Sequence, residues 1–361
     1  RQVAYAEAFI SVKIVNHTAF MVEALPNHIR GDRAILTIIV KATLEIPEQG
    51  LATLAAEQIP VAFGDEFVDR GFGVVKFESD LAPFKPKADV VLVGRAHSPG
   101  GRPAKSLQVS LRVGDTISTI QVVGDRRWLA GTGSPPRVSD PEPFTTMELS
   151  YERAFGGVDE SGGDACLENL VGRGLIAEST QTLEQDVPLP NLEDPDHMIG
   201  SSRDRPQPVG FGFYARNWKP RLDYLGTYDA QWQEEIAPNP PLDFRSDFYN
   251  AAHPKLQVEG YLRGDEEVEL VNLTPQGRTL FQLPGLIPRA TVSKIVRQQT
   301  ETGEGGDDRQ VMETIALQLD TLCLEPDEGR CFLVWRGFSQ IEGLTAQEVE
   351  TVEVRLSQPQ Q

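Results

Sequence analysis

The sequence predicts a mainly β protein: an antiparallel β-sandwich or barrel-like sheets with a long Pro/Gly-rich irregular middle segment and few short helices. Short runs rich in Val, Ile, Thr and aromatic residues recur at nearly regular spacing in the first and last thirds of the chain. Gly-Asp and Pro-Gly-Gly turns separate these runs, and no segment with helical periodicity lies between them. The middle third holds 14 of the 26 prolines, and proline lacks the backbone donor that helix interiors and central strands need.

Residues 1–130 are predicted to form an antiparallel β region, because apolar and polar side chains alternate along most of its runs. Such alternation places one face of each strand on a core and the other face toward solvent or covering loops. The strands are expected at the runs AFISVKIVNHTAFMVEAL, AILTIIVKATLEI, DVVLVGRAHS, LQVSLRVGDT and ISTIQVVGDRRWL.

Residues 131–255 are predicted to be an irregular segment packed on the sheets, because Pro and Gly interrupt its candidate helices and strands. Residues 256–361 are predicted to form a second antiparallel β region that makes one compact unit with the first. Its acidic, Gly-rich residues 301–310 fit an exposed hairpin loop, and the tail from residue 343 fits one helical turn and then a strand. Its other strands are expected at the runs KLQVEGYLRGDEEVELVNL, RTLFQLPG, ATVSKIVRQQT, METIALQLDTLCLE and CFLVWRGFSQI.

The charge of the chain limits the classes of partner. Its 361 residues carry 53 acidic and 34 basic side chains, a formal charge of −19. Residues 1–130 have a net charge of +1, whereas residues 131–255 and 256–361 have −11 and −9. This balance argues against a nucleic acid or an anionic membrane as the main partner, because both would repel the chain. It favours neutral or basic partners, and we expect these to be proteins.

Targeting and cysteine content favour a cytoplasmic protein. No apolar run approaches the roughly 18–20 residues of a membrane span, and no secretory signal is visible at the N-terminus. The three cysteines, Cys166, Cys323 and Cys331, do not form a disulfide framework. Cys323 and Cys331 could face each other across a hairpin, but two reduced, half-buried thiols are the preferred interpretation.

The motifs of catalysis and metal binding do not occur in this sequence. Its five histidines form no HxH, HExxH or His–Cys cluster, so neither a metal nor a cofactor is predicted. GxSxG, Walker A and kinase motifs are missing, and no GxGxxG follows a strand and opens a helix. A carboxylate-dependent, carbohydrate-active hydrolase remains an alternative, because paired acids such as Glu234 with Glu235 or Asp243 with Asp247 would serve one if they lay roughly 5–10 Å apart in a cleft.

Several clusters in and beside the middle segment combine Arg, Asp or Asn with an aromatic ring and a glycine. Two interpretations remain open for them. The polar side chains would satisfy the backbone of an irregular segment and cross-brace its loops, or the Trp, Tyr and Arg side chains would form a recognition surface. The candidate residues for a structural or partner-binding role are Arg126, Trp128, Tyr151, Arg153, Asn169, Asn191, Glu193, Trp218, Arg221, Tyr228, Asp229, Trp232, Asp243, Phe244 and Asn250.

An ordered series of long motifs resembles the domain-of-unknown-function 2169 family, from roughly residue 10 to residue 340. The motifs are SDLAPFKPKADVVLVGRAH, VVGDRRW, PFTTMELSYERAFGG, ENLVGRG, PLPNLE, GFGFYARNWKPRLDYLGTYDAQWQ, PPLDFRSDFYNAAHP, LVNLTPQGRTLFQLPG and LDTLCLEPDEGRCFLVWRG.

The resemblance implies a function in bacterial type VI secretion. Members of the family are encoded beside type VI secretion genes and are regarded as cytoplasmic adaptors or chaperones. They help to load toxic effectors, often with PAAR or Rhs parts, onto the VgrG spike. The resemblance therefore implies a non-enzymatic protein whose partner is such an effector, with VgrG or a PAAR protein as further partners. It supplies no catalytic residue. Besides the hydrolase, a structural component of the spike remains an alternative.

Overall fold

The computed structural model describes residues 12–28, 34–68, 73–130, 136–159, 163–178, 180, 182–297, 308–342 and 348–357. It confirms the predicted fold class. The described chain is mainly β, in mixed and antiparallel sheets, with one α-helix and a few 3-10 turns.

The strands are named here in chain order. They are β1 (Lys13–Asn16), β2 (Met21–His28), β3 (Ala34–Glu45), β4 (Gln49–Leu51), β5 (Thr53–Leu54), β6 (Glu66–Phe67), β7 (Val75–Phe77), β8 (Ala88–Leu92), β9 (Arg95–His97), β10 (Ser106–Val113), β11 (Thr116–Val123), β12 (Arg127–Leu129), β13 (Arg137–Val138), β14 (Thr146–Glu148), β15 (Phe155–Gly156), β16 (Val158–Asp159), β17 (Asp164–Ala165), β18 (Arg173–Gly174), β19 (Val187–Pro188), β20 (Leu192–Glu193), β21 (Gln257–Val258), β22 (Glu267–Val271), β23 (Arg278–Gln282), β24 (Pro288–Arg297), β25 (Asp308–Ala316), β26 (Gln318–Glu325), β27 (Arg330–Gln340) and β28 (Val349–Leu356).

The largest sheet has seven strands in the order β2-β3-β27-β26-β8-β21, with β5 added beside β3. Its pairs are antiparallel except for β26 and β8, which run parallel. Strand β3 is buried along all but its last residue, as expected of a strand that is covered on both faces. This sheet joins the first and last predicted regions, because β27 pairs with β3 along its whole length.

The two faces of the seven-stranded sheet differ in chemistry. On β3, Leu36, Ile38 and Val40 belong to the main hydrophobic core. Side chains point alternately to the two faces of a strand, so Thr37 and Lys41 lie on the opposite face. Irregular chain before β8 covers this second face, where the Thr37 hydroxyl donates to the carbonyl of Pro83 at 3.1 Å.

A six-stranded sheet has the order β20-β11-β10-β22-β23-β4. Burial alternates along β10, which confirms the predicted pattern of LQVSLRVGDT. A four-stranded sheet has the order β1-β28-β24-β25 and places β1 parallel to β28. One continuous core contains Leu36 of the first sheet, Val109 of the second and Val292 of the third.

The middle segment is irregular, as predicted. Among its described residues the strands are only two or three residues long, and the one α-helix is α1 (Ala230–Glu235). Nevertheless Tyr151, Tyr214 and Trp218 belong to the same core as the sheets. The division at residues 130 and 255 stays a prediction. The 3-10 turns of the described chain are Pro99–Gly101, Tyr151–Arg153, Arg221–Tyr224, Ser246–Tyr249, Pro254–Leu256 and Pro326–Glu328.

The three cysteines are free thiols. The hairpin of β26 and β27 exists, but its register pairs Cys323 with Phe332 and Leu324 with Cys331. The two sulfurs therefore project from opposite faces of the sheet and do not meet. Both thiols are buried rather than half-buried.

Some predictions fall outside the described residues. The acidic hairpin loop at residues 301–310 is described only from residue 308, where β25 begins. The helical turn expected near residues 343–347 and the N-terminal stretch also lie outside, whereas the strand expected in the tail is β28. No helix in the described part of the chain is long and apolar enough to cross a membrane.

Candidate functional site

The end of the middle segment is fixed to the seven-stranded sheet by Asp89 of β8. This carboxylate is fully buried and accepts hydrogen bonds from the Asn250 amide at 3.0 Å and from the backbone N–H groups of Ala251 and Ala252 at 2.9 and 3.2 Å. The ammonium of Lys85 neutralises it at 2.8 Å. Asn250, predicted from sequence, is therefore a buried anchor that also donates to the carbonyl of Lys87 at 2.9 Å.

More buried charges lie beside Asp89 on the polar face of the same sheet. Lys41 pairs with Asp80 at 2.8 Å, and Arg336 pairs with Asp320. Burial opposes the charge of Arg336, but the carboxylates of Asp320 and Asp80 outweigh it and raise the pKa of the guanidinium. Arg336 also donates to the carbonyl of Asp80 at 2.8 Å, which ties the covering loop to β27. Three cations face three carboxylates here, so the cluster is balanced.

A cavity of about 180 Å³ lies against this cluster. Lys41, Lys85, Cys323 and Arg336 line it, together with the ring of Phe332. Burial raises the pKa of the Cys323 thiol well above its usual range, so this sulfur stays protonated and unreactive at neutral pH. Each of the three cations already has an anionic partner within the protein, and the cavity wall is therefore best explained as structural.

A second set of buried polar contacts holds the start of the middle segment. Asn191, fully buried, donates to the carbonyl of Val123 at 2.9 Å and accepts from Arg153 at 3.0 Å. The buried side chains of Arg126 and Glu193 form an ion pair. Burial lowers the pKa of the Arg126 guanidinium. These four predicted residues cross-brace the irregular chain against β11, as one of the two interpretations expected.

Two predicted tryptophans and one tyrosine are internal. Trp128 packs in a small separate core that includes Phe155 and Leu189. Trp218 and Tyr151 meet edge to face, with ring centres 5.6 Å apart. The ring of Tyr151 lies so close to Gly210 that an added Cβ there would approach it to 2.6 Å. These rings stabilise the irregular segment by burial, since it has few backbone ladders of its own.

Asn169 and Arg221 donate hydrogen bonds to backbone carbonyls of the irregular segment. The buried amide of Asn169 donates to the carbonyls of Tyr151 and Phe155 at 2.8 and 3.0 Å. The guanidinium of Arg221 binds the carboxylate of Glu78 through two nitrogens, at 2.7 and 2.9 Å. It also donates to the carbonyls of Tyr214 and Phe248 at 2.7 and 2.9 Å. Both predicted residues therefore have internal structural contacts.

The remaining five predicted residues lie in one mostly exposed stretch of the chain, residues 225–244, which we call the acidic loop. A backbone hydrogen bond from Arg245 to the carbonyl of Tyr224 closes its neck at 2.9 Å. The carboxylate of Asp243 accepts from the backbone and the hydroxyl of Thr227 at 3.0 and 2.8 Å, and these bonds lower its pKa. Phe244, at the end of the loop, packs edge to face on Phe248 with ring centres 5.7 Å apart.

Helix α1 forms the body of the acidic loop. Asp229 caps it by accepting from the backbone N–H of Trp232 at 2.8 Å. The indole of Trp232 donates to the carbonyl of Asn239 at 2.8 Å and meets the ring of Tyr228 at 4.6 Å. Tyr228 is 48% exposed. The loop is thus an ordered structure that holds aromatic rings at the protein surface.

Sequence reasoning missed the buried charges of the sheet. Asp80, Lys85, Asp89, Asp320 and Arg336 lie in motifs that carried the family resemblance, but none was proposed as a site residue. A usable signal existed, because Asp320 and Arg336 interrupt the apolar runs LQLDTLCLE and FLVWRGF. A charge inside an apolar strand is costly unless it is paired, so two such charges of opposite sign predict a buried ion pair.

Within the described ranges, no three His, Cys, Asp or Glu side chains are grouped so as to hold a metal ion. The model of a family described as "Uncharacterized protein conserved in bacteria (DUF2169)" matches residues 31–336, which include the buried charges and the acidic loop. The comparisons with curated proteins and with solved structures found no match.

Proposed function

Because the chain belongs to the family of uncharacterized bacterial proteins DUF2169, we propose that it is a non-enzymatic cytoplasmic adaptor or chaperone for a type VI secretion effector. In this proposal it binds an effector with PAAR or Rhs parts and helps to load it onto the VgrG spike. The proposal extends to this chain the function that the family resemblance implies.

One structural observation carries the proposal: an irregular segment is braced internally while its acidic loop is held out to solvent. Ten of the fifteen candidate residues bond or pack inside the protein, as Arg221 and Asn250 do. The other five lie in the acidic loop, where Tyr228 is exposed. Preformed loops on a rigid frame are typical of binding proteins, because little conformational freedom is lost on association.

The charge distribution supports a protein partner. Residues 131–361 carry a net charge of −20, and residues 1–130 carry +1. A strongly acidic surface speeds the encounter with a basic partner and disfavours nucleic acid and anionic lipid.

Co-expression with the effector encoded beside this chain's gene tests the proposal. Affinity purification of the tagged chain is expected to recover the effector in a fixed ratio. The effector's unfolding temperature is expected to rise in the complex, because binding to the folded state stabilises it. Recovery of the chain without the effector, at protein concentrations of about 10 μM, would count against the proposed function.

A further inference from the structure

The acidic loop contributes nothing to the hydrophobic cores of the described chain. None of the three clusters of buried apolar residues includes a side chain from residues 225–244. Leu242 is 64% exposed and Tyr228 is 48% exposed, although burial of such large side chains stabilises a folded protein. Large apolar side chains grouped at the surface of an ordered loop are typical of an interaction site.

The loop is also held in one shape by its own contacts. The Asp243–Thr227 bonds and the Trp232–Asn239 bond span its two halves. A Cβ added at Gly226 would lie 2.8 Å from the Asp243 carboxylate, so the neck is closely packed. A rigid aromatic surface loses little entropy on binding, which distinguishes this loop from an exposed linker.

The charge of the loop specifies its partner. Its twenty residues include four acids and not one Lys or Arg. Asp229, Asp243 and Glu235 accept hydrogen bonds within the loop, Glu235 from the side-chain amide of Gln231 at 3.0 Å, and both Glu234 and Glu235 are exposed on α1. The loop therefore combines exposed apolar side chains with exposed carboxylates.

We propose that the acidic loop is the docking site for a segment of the effector that carries Lys or Arg side chains beside large apolar ones. The apolar side chains would cover Tyr228 and Leu242, and the cations would pair with Glu234 and Glu235. Such a segment matches the loop in both chemistry and sign of charge. Ion pairs between its cations and these two glutamates would fix the position of the segment along the loop. This inference rests on the proposed function.

The test measures binding of the purified effector encoded beside this chain's gene to the immobilised full chain. The double variant Tyr228→Ser, Leu242→Ser is expected to raise the Kd at least about 10-fold, because apolar anchors dominate such interfaces. The matched control Ile117→Ser, Met312→Ser removes two somewhat more exposed apolar side chains elsewhere, at 58% and 69% exposure, and is expected to leave the Kd within about 2-fold. Circular dichroism of each variant checks that the fold is kept.

A charge variant and a peptide array test the sign of the partner. Glu234→Lys, Glu235→Lys is expected to weaken binding at least about 5-fold at low salt and less at high salt, since exposed charges are screened. The control is Glu48→Lys, Glu178→Lys, with the same change of charge outside the loop. Overlapping 15-residue peptides of the effector, tested on the full chain, are expected to bind only where they are cationic and contain large apolar residues.

The outcomes separate this inference from the proposed function. Wild-type binding that both loop variants retain, or a preference for acidic peptides, would overturn the docking site and leave the adaptor function standing. If the wild-type chain does not bind the effector at all, both fail.

Discussion

The carboxylate of Glu78 and the guanidinium of Arg221, 143 positions apart in sequence, form a two-point salt bridge with nitrogen–oxygen distances of 2.7 and 2.9 Å. Arg221 is 2% exposed and also binds two backbone carbonyls. The pair fixes the irregular segment just before the acidic loop to the chain that covers the seven-stranded sheet. Its geometry depends on the planar fork of arginine, which lysine does not offer.

Loss of this pair is expected to destabilise the protein. Arg221→Ala would remove the donor to two backbone carbonyls and one of two arginines that bind Glu78, the other being Arg216 at 2.7 Å, so we expect the free energy of unfolding to fall by about 3 kcal/mol. Urea unfolding measures the change. The control is Arg278→Ala, which removes an exposed arginine from its pair with Glu269 and is expected to cost at most about 1 kcal/mol. Equal losses in the two variants would contradict the structural role of Arg221.

Close backbone approach predicts a large effect at Gly124, in the motif GDRRW. A Cβ at this position would lie 1.8 Å from the carbonyl oxygen of Glu142, and backbone cannot move aside as a side chain does. Gly124→Ala is expected to reduce the free energy of unfolding by at least about 2 kcal/mol. At Gly64 an added Cβ would meet nothing within 4 Å. Gly64→Ala is therefore expected to leave the free energy of unfolding unchanged or to raise it by up to about 1 kcal/mol. Similar midpoints of urea unfolding for the two variants would show that the Glu142 carbonyl does not approach Gly124 this closely.

His253 is expected to make stability depend on pH. Burial, reinforced by the charge of Lys255, lowers the pKa of this ring to about 4, and its Nδ1 accepts from the backbone N–H of Lys255 at 3.1 Å. In the unfolded chain the pKa is near 6.5, so the unfolded state takes up the proton first. The contribution of the neutral ring is complete above pH 6.5 and is lost as the pH falls toward 4, by roughly 3 kcal/mol in all.

The variant His253→Asn isolates this contribution. Asparagine keeps an acceptor at the start of the 3-10 turn Pro254–Leu256 and removes the titration. Unfolding free energies measured from pH 7.5 to pH 4.5 are expected to fall more steeply for the wild type than for the variant. The two profiles would run parallel if His253 took up its proton as readily in the folded protein as in the unfolded chain.

The thiols are expected to be slow to react in the folded protein. Burial raises the pKa of Cys166 to about 11 and that of Cys331 to about 12, and Cys323 is shifted in the same direction. At pH 8 a thiol-reactive chromophore should label Cys166 slowly and the other two only after unfolding in urea. Fewer than three reactive thiols in urea without a reductant would reveal a disulfide, and would contradict the assignment of all three cysteines as free thiols.

The class of fold was predictable because strand patterns are local. The run LQVSLRVGDT alternates in sequence and alternates in burial, and proline content alone located the irregular segment. The pairing of distant strands was not predictable. The parallel pairs β1–β28, β26–β8 and β23–β4 bring together chain that is far apart in sequence, and no local pattern encodes that choice.

The candidate residues were predictable as a group but not by role. Trp218 and Trp232 each follow a tyrosine by four residues in one motif, yet Trp218 is buried in the core and Trp232 packs on Tyr228 in the acidic loop. Whether such a tryptophan is buried in the core depends on which other parts of the chain cover its ring, and the local sequence does not determine this. The buried pair Asp320–Arg336, by contrast, was predictable in principle, because each of the two charges interrupts an apolar run.

Light scattering after size-exclusion chromatography tests the central proposal most directly. The chain alone is expected to elute as a monomer of 39.8 kDa, and a mixture with the proposed effector is expected to elute as one complex with a defined mass. A stable symmetric trimer of the chain alone, with no change in mass when the effector is added, would contradict the adaptor function and favour a structural component of the spike.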